Sequence, residues 1–214
     1  MPIQHIMSHW CARPDARARI AGSPKYPALR GFADFYALDE GVVLIASLWD
    51  LPYDPASCAP NICGLHIHAG RACTGTEADP FADALGHFNP GNCPHPAHAG
   101  DLPPLFVGRG GYAWLGVYTE RFTLADIIGR TIIVHDRRDD FTSQPAGDSG
   151  TRIGCGLIER LGRGGVGGIL GSGHRRALDP DRAQRLLLVL ESLPPGIIKK
   201  WYNAPIAQKE EKLP

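Results

Sequence analysis

Short apolar segments separated by turn residues constrain this chain more than any other feature of its sequence. Seven segments are rich in aromatic and β-branched residues, and no helical repeat lies between them. They are RARIAG (17–22), GFADFYAL (31–38), GVVLIASLWDL (41–51), GLHIHAG (64–70), YAWLGVYTERF (112–122), RTIIVHD (130–136) and RIGCGLIE (152–159). Because successive short strands without helices pack antiparallel, the pattern predicts an all-β sandwich or barrel of about eight antiparallel strands.

The charge balance limits the kinds of partner that the chain can bind. Lys plus Arg and Asp plus Glu number 22 each, whereas proteins that bind nucleic acid or anionic membranes usually carry a basic excess. We therefore expect a small-molecule partner, no nucleic acid and no membrane. The N-terminal residues do not form the basic and apolar pattern of a secretory signal. The expected location is cytoplasmic, or periplasmic or extracellular if a leader has been removed.

The last quarter of the chain differs in composition from the strand-rich part. The segment GRGGVGGILGSG (162–173) predicts a flexible linker. In DPDRAQRLLLVLESL (179–193), Asp179 is suited to the N-cap and Pro180 to the first helical position, so this segment predicts a helix. We expect one β domain at 13–160 and an extension at 161–214 that holds the linker and the helix.

Two histidines alternate with apolar residues in GLHIHAG. Since side chains in a strand alternate between faces, His66 and His68 point to the same side and could bind one metal ion. An isolated pair of this kind more often packs or hydrogen-bonds on a sheet face. Other ligand-type residues are needed to decide between the two interpretations.

Such residues follow in the segment GHFNPGNCPHPAHAGDLPP. His87 is followed by His95, His98 and Asp101, spaced three apart in a loop rich in Pro and Gly. Three imidazoles and one carboxylate make a closed tetrahedral set that suits structural zinc and leaves no open position for a zinc hydrolase. The remaining histidines, His66, His68 and His135, lie in or beside predicted strands, and imidazole-rich sites favour copper.

The sequence resembles the copper/zinc superoxide dismutase family in the motifs GLHIHAG, GHFNP, HAGDLP, IIGRTIIVHDRRDD and GTRIGCGLI, which occur in the family's order between about residues 15 and 160. The resemblance implies an immunoglobulin-like Greek-key sandwich, the architecture for which copper/zinc superoxide dismutase is itself a standard example. It also implies copper (Cu²⁺/Cu⁺), zinc (Zn²⁺) and conversion of superoxide to dioxygen and hydrogen peroxide. It leaves a homodimer open. A non-enzymatic copper/zinc-binding protein on the same fold is the alternative, because a fold does not fix function.

The resemblance assigns a role to each matching residue. The copper ligands are His66, His68, His87 and His135, and the zinc ligands are His87, His95, His98 and Asp101. His87 thus bridges the two metals and takes part in catalysis. Asp139 ties a copper histidine to a zinc histidine, and Arg152 is the catalytic arginine beside copper. Orienting ligand imidazoles through a carboxylate is a general need of metal sites.

Cysteines give one further expectation. Cys73 and Cys155 match the disulfide of the family. The other four have no family counterpart: Cys11, Cys58, Cys63 and Cys93. Cys93 could pair with Cys58, act as a soft metal ligand or remain a spare thiol. The segment TGTEADPFADALG, between Cys73 and His87, is longer than the family's common spacing.

Overall fold

The computed structural model describes residues 13–162, and strands dominate this range. The elements are β1 Ala16–Gly22, β2 Arg30–Ala37, β3 Val42–Trp49, β4 Ile62–Cys63, β5 Leu65–His68, a 3-10 turn Ala82–Ala84, β6 Leu105–Phe106, β7 Ala113–Thr119, α1 Leu124–Ile127, β8 Thr131–His135 and β9 Arg152–Arg160. Each of the seven predicted segments contains a strand, so the all-β prediction is confirmed. The sequence did not predict β4, β6 or α1.

The strands form one large antiparallel sheet with a Greek-key path. The sheet has seven strands in the order β5-β8-β9-β1-β2-β3-β7, and β4 pairs with β6 in a separate two-stranded sheet. β5 and β7 therefore lie at opposite ends of the large sheet, although only β6 separates them along the chain. The connection between them includes a long segment, residues 69–104, which we call the site loop.

The apolar core lies on one face of the sheet. In β1, Ala16, Ala18 and Ile20 alternate with more exposed residues and join a cluster that includes Phe35 and Leu44. Each fully buried large side chain contributes roughly 1.5–3 kcal/mol. The alternating burial in β1 thus separates a core face from an outer face.

The outer face of β8 and β9 is covered as well. All five residues of β8 are buried. Ile132 and Val134 belong to the main core, whereas Ile133 packs in a second cluster with Phe81 and Ala84 of the site loop. The site loop therefore lies across the outer face of these strands and removes it from water.

A disulfide attaches the site loop to β9. Cys73 and Cys155 are bonded with a Cα–Cα distance of 5.7 Å, which confirms the predicted pair. Cys58 and Cys93 are exposed free thiols, so the alternative pairing between them is wrong. Burial raises the pKa of the Cys63 thiol to about 12. Cys11 lies outside the described residues.

The predicted extension lies beyond the described part of the chain. The glycine-rich segment after residue 162 and the helix at 179–193 are outside the described residues, so the division into 13–160 and 161–214 stays a prediction. Among residues 13–162, no helix has the length and apolar character needed to cross a membrane.

The disulfide has a measurable effect on stability. The Cys73→Ala/Cys155→Ala variant is expected to lose about 4 to 5 kcal/mol of unfolding free energy, because the bridge closes a sequence separation of 82 residues in the unfolded chain. Urea unfolding of the metal-free proteins measures this loss. The matched variant Cys58→Ala/Cys93→Ala removes two exposed thiols and should change the free energy little. Equal losses in the two variants would contradict the assignment.

Candidate metal centre

β5 places two imidazoles on the outer face of the sheet. Leu65 and Ile67 enter the main core, so His66 and His68 point to the opposite face, where the site loop buries both. His135 ends β8 next to a register shift in its pairing with β9. His68 Nε2 and His135 Nε2 are 3.4 Å apart. The strands thus bring the three predicted strand histidines together.

The site loop supplies a second group of ligand atoms. Asp101 Oδ1 lies 2.7 Å from His87 Nδ1, Asp101 Oδ2 lies 3.2 Å from His95 Nδ1, and His98 Nδ1 lies 3.4 Å from His87 Nδ1. A tetrahedral ion with bonds of about 2.0–2.1 Å requires ligand atoms about 3.3 Å apart. The separations of 3.2 Å and 3.4 Å match that requirement, whereas the 2.7 Å contact between His87 and Asp101 is a hydrogen bond and is shorter.

His87 belongs to both groups. Its Nδ1 faces the Asp101 carboxylate, while its ring centroid lies 4.0 Å from that of His66 and 5.0 Å from that of His68. Its side chain is only 2% exposed. The ligand atoms of His66, His68, His87 and His135 lie within 4.8 Å of one another, as do those of His87, His95, His98 and Asp101. The structure therefore contains two adjacent groups, each able to hold a metal ion, joined by one imidazole.

Hydrogen bonds fix which nitrogen each ring leaves free. His66 Nε2 lies 2.7 Å from Asp139 Oδ2, and His95 Nε2 lies 2.9 Å from Asp139 Oδ1. His68 Nδ1 lies 2.8 Å from the Leu85 carbonyl. Because carboxylate and carbonyl oxygens only accept, these nitrogens carry the hydrogen, and the other nitrogen of each ring keeps its lone pair. Each such lone pair is available to a metal.

Among residues 13–162, three ring nitrogens are buried without a hydrogen-bond partner: His66 Nδ1, His87 Nε2 and His95 Nδ1. His95 Nδ1 is close to the Asp101 carboxylate but not in hydrogen-bonding geometry. Leaving a buried polar atom unpaired costs roughly 1–3 kcal/mol, so such atoms are rare. Metal coordination would satisfy all three. These residues therefore fit the metals that the sequence predicts.

Asp139 is held as a carboxylate between the two groups. Burial alone would raise its pKa, but hydrogen bonds from His66, the Phe141 backbone and His95 lower it to about 2. Gly147, at φ +66°, makes room for it, because a Cβ there would lie 2.0 Å from Asp139 Oδ1. Asp139 thus contacts one histidine of the strand group and one of the site-loop group.

Burial keeps the strand histidines neutral. It lowers the pKa of His66 despite the opposing effect of the hydrogen bond to Asp139, and it lowers the pKa of His68 well below its ordinary value. Burial likewise lowers the pKa of His135 to about 3. Neutral imidazole is the form that binds metal. The rings are therefore ready to coordinate near neutral pH.

Arg152 begins β9 and pairs in register with His135. Its Nη1 donates to the Phe81 carbonyl at 2.8 Å, and its Nη2 donates to the Leu85 carbonyl at 2.7 Å. The Leu85 carbonyl also accepts from His68. The structure thus links Arg152 to the strand group through the site loop.

Sequence reasoning missed two residues at the site. Asp79 Oδ2 lies 3.2 Å from Arg152 Nη1. Arg121 Nη1 donates to the carbonyls of His98, at 3.3 Å, and Asp101, at 3.4 Å. The unusual length of the segment before His87 was the only signal for Asp79, and no motif marks Arg121.

Comparison with known proteins places the chain in a family. The sequence model described as "Copper/zinc superoxide dismutase (SODC)" matches residues 31–158. The chain belongs to the copper/zinc superoxide dismutase family. Members of this family carry copper and zinc, and the two histidine groups of this chain are suited to hold them.

Individual relatives agree with this placement. The chain is 37% identical over 115 residues to the Cu-Zn superoxide dismutase of Deinococcus radiodurans, a match to 46% of this chain and 63% of that enzyme. It is 33% identical over 132 residues to the Photobacterium leiognathi enzyme, covering 56% and 72%. The Cu/Zn superoxide dismutase of Brucella abortus superposes with a TM-score of 0.57 at 26% identity, covering 67% of this chain and 99% of that one. The Greek-key fold is thus shared as well.

Removal of the Asp139 charge should weaken metal binding. The Asp139→Asn variant is expected to lose roughly ten- to hundredfold in metal affinity, because the amide keeps only one accepting oxygen and either His66 or His95 loses the acceptor that orients it. Chelator competition measures the affinity. Asp148→Asn is the matched control, since Asp148 is an exposed carboxylate that pairs with Arg137. Unchanged affinity in Asp139→Asn would contradict the orienting role.

The metal-free protein should lose stability as the pH falls. The folded-state pKa of His135 is about 3 and those of His66 and His68 are lowered, whereas unfolded histidine titrates near about 6.5. The unfolded chain therefore binds more protons between these values, and the stabilisation present above about pH 6.5 is lost toward pH 3.

Urea unfolding between pH 7.5 and pH 5 tests this expectation. Each buried neutral histidine adds a slope of up to about 1.4 kcal/mol per pH unit. The metal-free His135→Gln variant lacks one of these groups, so its unfolding free energy should depend less steeply on pH. Parallel curves for the two proteins would show that His135 does not contribute.

Proposed function

We propose that this protein is a copper/zinc superoxide dismutase that converts two superoxide ions and two protons to one dioxygen and one hydrogen peroxide. The observation that carries the proposal is the shared position of His87 between two buried ligand groups, with Arg152 attached to one of them. Its family membership and its relatives named Cu-Zn superoxide dismutase support it.

The two groups differ in the metal they favour. We assign copper to the strand group, whose four imidazoles are His66, His68, His87 and His135. We assign zinc to the site-loop group, whose three imidazoles and one carboxylate are His87, His95, His98 and Asp101. His87 would then hold copper through Nε2 and zinc through Nδ1, in accordance with its unpartnered Nε2 and its Nδ1 beside Asp101.

Bound copper supplies a one-electron couple that accepts an electron from one superoxide and returns it to a second, while zinc supplies fixed positive charge. His87 Nε2 is the atom that takes up one of the two required protons and delivers it to the peroxide product. Burial shields this atom from bulk water, and zinc held by Asp101 and the other site-loop ligands would keep the ring oriented through the opposite nitrogen. The second proton comes from solvent.

Arg152 binds the superoxide anion beside copper. Two backbone carbonyls hold its guanidinium, and its side chain remains 21% exposed, so an anion from solvent can reach it. A fixed, planar cation suits this task because it needs no rearrangement when the anion arrives.

A non-enzymatic copper/zinc-binding protein would need the same ligands. The placement of Arg152 favours the enzyme, because a metal carrier has no need of an accessible cation beside copper. A homodimer and a cytoplasmic location stay predictions, as do the absence of nucleic-acid and membrane partners.

Direct measurement of superoxide decay tests the proposal. Protein loaded with copper and zinc should accelerate the decay. His135→Ala should lose copper and activity together, while Arg152→Ala should keep copper and lose about tenfold or more in rate. Arg109→Ala, which removes an exposed arginine from the turn before β7, should retain the rate. If the protein binds copper stoichiometrically and superoxide still decays at the uncatalysed rate, the proposed enzymatic function is wrong and a non-enzymatic metal-binding function is favoured.

A further inference from the structure

Asp79 lies in a fixed turn of the site loop that faces Arg152. Its backbone carbonyl accepts from the Thr76 amide at 2.8 Å, and its own amide donates to Thr76 Oγ1 at 3.1 Å. Its Oδ1 accepts from the Phe81 amide at 3.1 Å. Oδ2 is left to face Arg152 Nη1, at 3.2 Å. The turn therefore presents one carboxylate oxygen to the guanidinium.

Arg152 has supports that do not involve Asp79. The carbonyls of Phe81 and Leu85 accept from Nη1 and Nη2 respectively, and the backbone is fixed by pairing with β8. Neutralising Asp79 leaves all of these contacts in place. The main effect of Asp79 on Arg152 is consequently on its charge, and its effect on position is secondary.

Arg152 lies beside the strand group, so the electric field of its positive charge acts there. Its Nη2 donates to the same Leu85 carbonyl that accepts from His68 Nδ1, and its backbone pairs in register with that of His135. A carboxylate 3.2 Å from the guanidinium cancels part of that field. Because Arg152 is 21% and Asp79 43% exposed, solvent screens the pair and the cancellation is partial.

We propose that Asp79 is a specificity-determining residue that lowers the affinity of the copper-side position for small anions by partly neutralising Arg152. This inference rests on the proposed function, in which Arg152 binds an anion beside copper. The longer segment between Cys73 and His87 therefore places a negative charge, that of Asp79, beside the arginine that binds the anion.

Azide binding to the copper- and zinc-loaded protein tests the proposal. Azide is a small anion whose binding is followed by the optical spectrum of copper. Asp79→Asn keeps an oxygen that can accept from the Phe81 amide, and its azide dissociation constant should fall roughly two- to fivefold. Glu77→Gln removes the same charge from an exposed position in the same segment and should change the constant much less.

The direction of the change in azide affinity distinguishes two roles of Asp79: partial neutralisation of the Arg152 charge and positioning of the Arg152 side chain. If Asp79 mainly held Arg152 in place, Asp79→Asn would bind azide more weakly, and this result would overturn the proposal. An unchanged constant, or an equal change in Glu77→Gln, would overturn it too. In the Arg152→Ala background, Asp79→Asn should change the azide dissociation constant clearly less, because Asp79 then has no guanidinium to neutralise. An undiminished effect there would contradict action through Arg152.

The azide titration does not require turnover. Wild-type protein that binds azide but leaves superoxide to decay at the uncatalysed rate would overturn the proposed function alone. Dismutation at a high rate with no azide effect in Asp79→Asn would overturn the role of Asp79 alone. The two proposals therefore fail in different measurements.

Discussion

The hydrogen bonds that the Asp139 carboxylate accepts from His66 and His95 hold the two halves of the site together. One oxygen accepts from a ring on β5 at 2.7 Å, and the other accepts from a ring of the site loop at 2.9 Å. These bonds decide which nitrogen of each ring faces the interior. They also bring a strand and a loop that are far apart in sequence into one rigid arrangement, which a buried metal pair needs because ligand geometry must exist before the ion arrives.

The rest of the fold serves to keep the site loop on the outer face of the sheet. The Cys73–Cys155 disulfide fixes one point, and the packing of Ile133 against Phe81 and Ala84 fixes another. Arg152 fixes a third point, because its guanidinium donates hydrogen bonds to two backbone carbonyls of the site loop. The same contacts that bury the apolar outer face of β8 therefore also deliver His87 to the strand histidines. The stability of the site loop and the geometry of the metal site thus depend on the same contacts.

Much of the fold could be predicted because strands leave a local pattern. Aromatic and β-branched composition between turn residues predicted all seven strands of the large sheet, and the alternation of side chains placed His66 and His68 on one face. β4 and β6 were missed because two residues are too few to show such a composition. The helix α1 did have a signal, since Thr123 and Asp126 form a capping box. Backbone acceptors such as the Leu85 carbonyl leave no trace in the sequence, and the contact between Asp79 and Arg152 depends on how a long loop folds.

A crystal structure of the loaded protein, with anomalous data at the copper and zinc edges, tests the central claim most directly. The account predicts copper bonded to His66 Nδ1 and to the Nε2 atoms of His68 and His135, and zinc bonded to Asp101 and to the Nδ1 atoms of His95 and His98. Each metal should lie about 2.0–2.2 Å from its ligands, with His87 within reach of both. Zinc in the strand group of fully loaded protein, or a metal bound without the hydrogen bonds to Asp139, would contradict it.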